Sequence, residues 1–125
     1  MILDTNALSA LASKDPDLLA RLRDPRRLAV TLISLGEYEY GIAQSRLRNE
    51  LQLWMQAFVQ RAEVLSPDMA TLSHYASVRS ELRQAGTPIP ANDCWIAALV
   101  RQHGLPLLSR DQHFDLVDDV RRLEW

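Results

Sequence analysis

With 125 residues, 47% hydrophobic and 24% charged, the chain has the size and composition of one globular domain, expected to span residues 1–125, and falls outside the disordered and fibrous classes. The single cysteine, Cys94, permits no internal disulfide, and no Cys/His group has zinc-site spacing, which suits a reducing, cytoplasmic setting. A net charge of −2 argues against a general polyanion binder, and no apolar stretch or basic-then-apolar leader suggests a membrane span.

The predicted elements alternate. Met1-Ile2-Leu3 reads as a buried strand ending at Asp4, and Thr5-Asn6 supplies helix-start chemistry before Ala7 to Leu11. Asp15-Pro16 opens a second helix that Asp24-Pro25 ends. Leu28 to Ile33 reads as a second buried strand, after which Ser34 and Glu37 have the spacing of a capping box. The helical region that follows is expected to break between Gly41 and Ser45. Its second part carries Leu47, Leu51, Trp54 and Phe58 at helical spacing, either as core or as a partly exposed apolar face for a partner. Glu63-Val64-Leu65 is a brief strand, and Ser66-Pro67-Asp68 opens a helix that runs to Arg83 and stops at Gly86. Helix resumes near Ala91 and closes at Gly104, Leu105 to Leu108 forms a strand, Ser109 to Phe114 a loop or short helix, and Val120 to Leu123 a last strand. Short apolar strands separated by helices predict an α/β fold with a mostly parallel central sheet covered on both faces.

Four acids stand at strand ends or helix starts: Asp4, Glu37, Asp93 and Asp111. The carboxyl ends of parallel strands share one edge, so these four can converge in the crevice there. Each also has an ordinary reading on its own. Asp4 can cap a helix, Glu37 can complete its capping box, Asp93 can complement a helix dipole, and Asp111 can be a loop acid. Together they must take up protons or bind a cation, because unit charges about 4 Å apart repel by roughly 4 kcal/mol at an effective dielectric near 20. With no cysteine or histidine at the strand ends, the donors are all oxygen, which selects Mg²⁺ or Mn²⁺. A carboxylate-bound pair of such ions is a common device for phosphodiester hydrolysis. Setting the four acids aside turns the net charge from −2 to +2 in a shell whose cations are almost all arginine, Lys14 being the lone lysine. The paired Arg21/Arg23, Arg26/Arg27, Arg46/Arg48 and Arg121/Arg122 suit either phosphate contacts or solvated helix faces.

Asp4-Thr5-Asn6 after an N-terminal strand resembles the opening of PIN-domain nucleases, especially VapC-type toxins of bacterial toxin–antitoxin pairs. Glu37 with Gly41, the run Ala91 to Ala98 around Asp93, and Leu107 to Phe114 around Asp111 resemble that family's later motifs, in order, from residue 2 to about 114. Gly36 and Cys94 depart mildly from the pattern. The resemblance implies a three-layer α/β/α PIN-like domain that cleaves RNA with Mg²⁺ or Mn²⁺, is held inactive by a cognate antitoxin and forms a homodimer. It further implies Asp4 and Asp93 as direct metal ligands, Glu37 and Asp111 as holders of a second ion or the attacking water, and Asn6 and Ser109 as supporting hydrogen-bond partners. A FitB-like PIN protein acting in a DNA-binding regulatory complex, with weak or no turnover, is the alternative.

Residue patterns dispose of two rivals. A receiver domain needs an acidic pair after the first strand and a late lysine, and a haloacid-dehalogenase-type phosphatase needs an aspartate where Asn6 stands. Among other residues, Cys94 is expected to pack, since a thiolate is a poor magnesium ligand. His113 is expected to be a solvated loop histidine, with phosphate positioning as its other reading, and Arg110 can meet either solvent or phosphate.

Overall fold

A computed structural model describes residues 1–22 and 27–125; the expected helix stop at Asp24-Pro25, with Arg23 and Arg26, lies outside them. The elements in chain order are β1 (Ile2–Leu3), α1 (Thr5–Ala12), α2 (Pro16–Arg21), β2 (Ala29–Thr31), α3 (Leu32–Ile42), α4 (Arg48–Val59), β3 (Glu63–Leu65), α5 (Met69–Gln84), α6 (Ala91–His103), β4 (Leu107–Leu108), a 3-10 helix (Gln112–Leu116) and β5 (Arg122–Leu123). The strands form one sheet in the order β3-β2-β1-β4-β5. Every pairing in it is parallel.

The strands are short and apolar because both of their faces are covered. Ile2, Ala29, Leu65 and Leu107 point into a core shared with Val78 and Leu82 of α5 and Ile96, Ala97 and Val100 of α6. Their neighbours Leu3, Val30 and Leu108 point the other way, into a core with Ala7 and Leu8 of α1, Leu18 of α2, and Leu35, Tyr38 and Ile42 of α3. A period of two along each strand thus fills two cores at once. This is the three-layer α/β/α arrangement, with the sheet in the middle.

Helix ends follow local chemistry. Asp15 accepts hydrogen bonds from the amides of Asp17 and Leu18 ahead of Pro16 at the first helical position. Asp68 and Thr71 form a reciprocal capping box for α5. Gly104 closes α6 at φ +63°, a left-handed position that glycine occupies without steric cost.

One boundary differs from expectation, with consequences for the site. The strand predicted from Leu28 to Ile33 ends at Thr31, because Thr31 accepts the Ser34 amide at 3.0 Å and starts α3 one turn early. Thr31 also donates to the Ser34 hydroxyl, and both residues are fully buried. The Ser34–Glu37 capping box therefore does not form, and Glu37 falls in the second turn of α3, free for another partner. The predicted apolar stripe on α4 lies between its two readings. No residue of α4 is fully buried, Leu51, Trp54 and Phe58 pack half-buried against the α1–α3 layer, and Leu47 just before the helix is 54% exposed. Trp54 stacks on Phe58 with ring centroids 5.3 Å apart. No helix among the described residues is long and apolar enough to cross a membrane.

Replacing Thr31 with alanine should lower stability by about 0.5–2 kcal/mol, the usual range for a lost N-cap. Urea unfolding reads this directly, and Thr31→Ser, which keeps the capping oxygen, should lose much less.

Candidate active site

The sheet order places the topological switch between β1 and β4, where the chain has turned back across the sheet. Ligand crevices of open parallel sheets lie at the carboxyl ends of strands flanking such a point. Asp4 follows β1 and Ser109 follows β4, and the Asp4 amide donates to the Leu108 carbonyl at 3.1 Å, which continues the pairing by one residue.

Asp4 stands at the N-cap of α1, yet its side chain makes no cap hydrogen bond. It is 4% exposed, and its Oδ2 accepts the Ser109 hydroxyl proton at 2.6 Å. The Ser109 oxygen in turn accepts from the Asp111 amide at 3.0 Å and from Asn6 Nδ2 at 3.4 Å, so a fully buried hydroxyl uses its whole capacity of one donor and two acceptors. Asn6 Oδ1 accepts the Arg110 amide at 3.3 Å. Asn6 and Ser109 thereby fix the start of α1 against the loop after β4.

Glu37 reaches the same edge from α3, where its Oε2 accepts the Thr5 hydroxyl at 2.7 Å. Asp93 arrives in the first turn of α6, and Asp111 caps the 3-10 helix by accepting the His113 amide at 2.9 Å. The His113 Nδ1 lies 3.3 Å from Asp93 Oδ2 and 3.2 Å from Asp111 Oδ1. Ligand atoms of Asp93, Asp111 and His113 all lie within 4.8 Å of one another. Asp4 and Glu37 are not part of this closest group.

The electrostatics tie the two halves together. Burial pushes the Asp4 carboxyl up to about 6, the charges of Asp93 and Glu37 add to that rise, and the Ser109 hydrogen bond opposes it. The Asp93 carboxyl is also raised, first by burial, with Asp111 and Glu37 adding and His113 opposing. The four acids separated by a hundred residues of sequence therefore sit within one another's field.

A PIN domain family model matches residues 1–120. The chain belongs to the PIN-domain family. Ribonuclease VapC4 of Mycobacterium tuberculosis is 33% identical over 104 residues, covering 78% of this chain and 80% of that protein. The tRNA(fMet)-specific endonuclease VapC of Shigella flexneri is 27% identical over 127 residues, covering 99% and 96%. Among solved structures, VapBC2 from Rickettsia felis bound to a DNA fragment from its promoter superposes with a TM-score of 0.88 at 25% identity, over 99% of this chain and 97% of that one. This PIN domain thus groups with the VapC members of its family.

Two residues beside the acids of this PIN domain have contacts other than those expected of them. His113 is half exposed, but its Nδ1 stands between the Asp93 and Asp111 carboxylates, within 3.3 Å of each. Its position two residues after Asp111 at a strand end was the available signal. Thr5, expected to start a helix, also donates its hydroxyl to Glu37. Two other expectations resolve simply. Arg110 engages Trp125, lying 4.3 Å over its ring and donating to its carbonyl at 3.1 Å. Cys94 is buried in the packing of α6.

From Glu37 a groove of about 570 Å³ runs between α1, α3 and α4, lined among others by Thr5, Ser9, Tyr38, Leu47 and Leu51. The Tyr38 hydroxyl is buried without a hydrogen-bond partner among the described residues.

A raised carboxylate pKa fixes the sign of a stability effect. Between about pH 4 and pH 6 the native chain holds a proton on Asp4 that the unfolded chain has lost, so this contribution to stability falls as pH rises through that window, by up to about 3 kcal/mol. Asp4→Asn keeps an acceptor for Ser109 and removes the charge. In metal-free protein it should stabilise by about 2 kcal/mol at pH 7.5 and by almost nothing at pH 4, as read by urea unfolding at the two pH values.

Proposed function

We propose that the protein is a Mg²⁺- or Mn²⁺-dependent endoribonuclease that hydrolyses RNA phosphodiesters, acting in the cytoplasm as the toxin of a toxin–antitoxin pair and working as a homodimer. The observation that carries this reading is the gathering of Asp4, Glu37, Asp93 and Asp111 at one sheet edge, with the buried Asp4 carboxyl pushed up to about 6. Such an excess of negative charge suits a polyanionic substrate only when a cation offsets it. The donors fit that cation: hard carboxylate oxygens from four separate elements, three of them held by hydrogen bonds from Thr5, Ser109 and the His113 amide. VapC4 and the tRNA(fMet)-specific endonuclease VapC support RNA as the substrate.

Asp4 and Asp93 would hold the ion directly, and Glu37 and Asp111 would hold a second ion or orient the attacking water. The chemistry a bound ion supplies is neutralisation of the acids and polarisation of the scissile phosphate. The remaining work belongs to the chain itself. Ser109 orients the Asp4 carboxylate through its 2.6 Å hydrogen bond, and Thr5 does the same for Glu37 at 2.7 Å. Asn6 braces the Ser109 hydroxyl and the Arg110 amide, so the loop bearing Asp111 keeps its place against α1.

The antitoxin would lie in the groove beside Glu37, covering Leu47 and Leu51, with an arginine guanidinium paired to the site carboxylates. The VapBC2 complex on a promoter DNA fragment supports such an assembly. It also favours a second reading, a FitB-like subunit of a DNA-binding complex with weak or no turnover. Turnover separates the two.

Purified protein freed of its partner should cleave RNA with Mn²⁺ or Mg²⁺ and stop on addition of EDTA. Asp4→Ala and Asp93→Ala should each lower the rate at least about a hundredfold, the scale set by several kcal/mol of lost transition-state stabilisation. If Asp93→Ala cleaves as well as the parent, the proposed metal site is wrong. If the parent itself does not turn over while its complex binds DNA, the second reading takes its place.

A further inference from the structure

The geometry points to His113 as an imidazole ligand of the cation that Asp93 would hold, with Asp111 reaching that same ion through the shared cluster and not only a second ion or the water, giving the site a mixed nitrogen–oxygen donor set and a preference for Mn²⁺ over Mg²⁺. The inference deepens the metal-dependent reading above and rests on it.

The distances argue for it first. Adjacent donors around an octahedral ion with bonds near 2.1 Å lie about 3.0 Å apart. His113 Nδ1 is 3.2 Å from Asp111 Oδ1 and 3.3 Å from Asp93 Oδ2, so one nitrogen stands at near-coordination spacing from two carboxylates that belong to different elements. No large rearrangement separates this arrangement from three donors on one ion. Anchoring argues for it next. The His113 amide donates to the same Asp111 oxygen at 2.9 Å, which fixes the histidine backbone beside the carboxylate. The ring is half exposed and not wedged by the core, so it can turn toward an ion at little cost.

Donor chemistry then sets the preference. Magnesium favours oxygen and keeps several waters, whereas a neutral imidazole adds affinity for first-row transition ions. Replacing one water by His113 nitrogen therefore favours manganese selectively. His103, in the last turn of α6, is an internal control on the same helix as Asp93. Ten residues of helix separate the two, about 15 Å.

The test uses the full chain, freed of metal and titrated with Mn²⁺, with electron paramagnetic resonance reporting binding and electron spin-echo modulation reporting nitrogen on the ion. Wild type should show ¹⁴N modulation. His113→Gln should lose it and bind Mn²⁺ at least about tenfold more weakly, while His103→Gln keeps both. Mg²⁺ affinity, read by competition, should change less than about threefold in His113→Gln, so that the preference for manganese narrows. Mn²⁺ that binds in an Asp93-dependent way without nitrogen modulation, or with modulation that survives His113→Gln, overturns the role of His113 and leaves the metal-dependent nuclease standing. Failure of Mn²⁺ to bind, or binding indifferent to Asp93→Asn, overturns both.

Discussion

Ser109 donates a 2.6 Å hydrogen bond to Asp4 where β1 and β4 end side by side, and the rest of the site is arranged around it. The bond keeps a carboxylate in an environment that disfavours its charge: burial raises the Asp4 pKa, and Ser109 is the largest influence in the opposite direction. It also links residues 105 positions apart, so it exists only when the two strands are paired in their native register. Asn6 and the Asp111 amide complete the valence of the Ser109 oxygen, and through them the loop after β4 inherits the precision of the sheet.

Around that bond the molecule accepts an electrostatic cost. Asp4 and Asp93 are each raised mainly by desolvation and further by neighbouring acids, so the ionised forms of both carboxylates are disfavoured where they stand. The two buried cores offset that cost. With Ile2, Ala29 and Leu107 on one side and Leu3, Val30 and Leu108 on the other, the sheet is held from both faces, and the acids are confined to the edge where its strands end.

Much of this was legible in the residues. Short apolar runs separated by helix signals led to a parallel sheet, Asp15-Pro16 and Gly104 marked helix ends as observed, and Asp4, Glu37, Asp93 and Asp111 come near enough to feel one another's charge. The failures share a cause: a residue with two chemically reasonable partners. Thr31 and Ser34 both qualify as caps, and only packing decides for Thr31, because its hydroxyl is fully buried beside that of Ser34. That choice shortened β2 and released Glu37 to Thr5. His113 reads as an ordinary polar loop residue until the fold brings Asp93, twenty positions away, to the same nitrogen. The stripe on α4 is half-buried because its helix lies against a layer already filled by α1 and α3, which periodicity alone does not reveal.

The strands themselves carry a last consequence. β1 is two residues long and sits between β2 and β4, with Ile2 committed to one core and Leu3 to the other. A slip of one position would exchange these side chains between unlike interiors and move Asp4 by a strand step of about 3.3 Å away from Ser109. Misalignment that spoils the acidic edge is thus also a packing fault on both sides of the sheet. Folding proofreads the geometry of the acids before any substrate arrives.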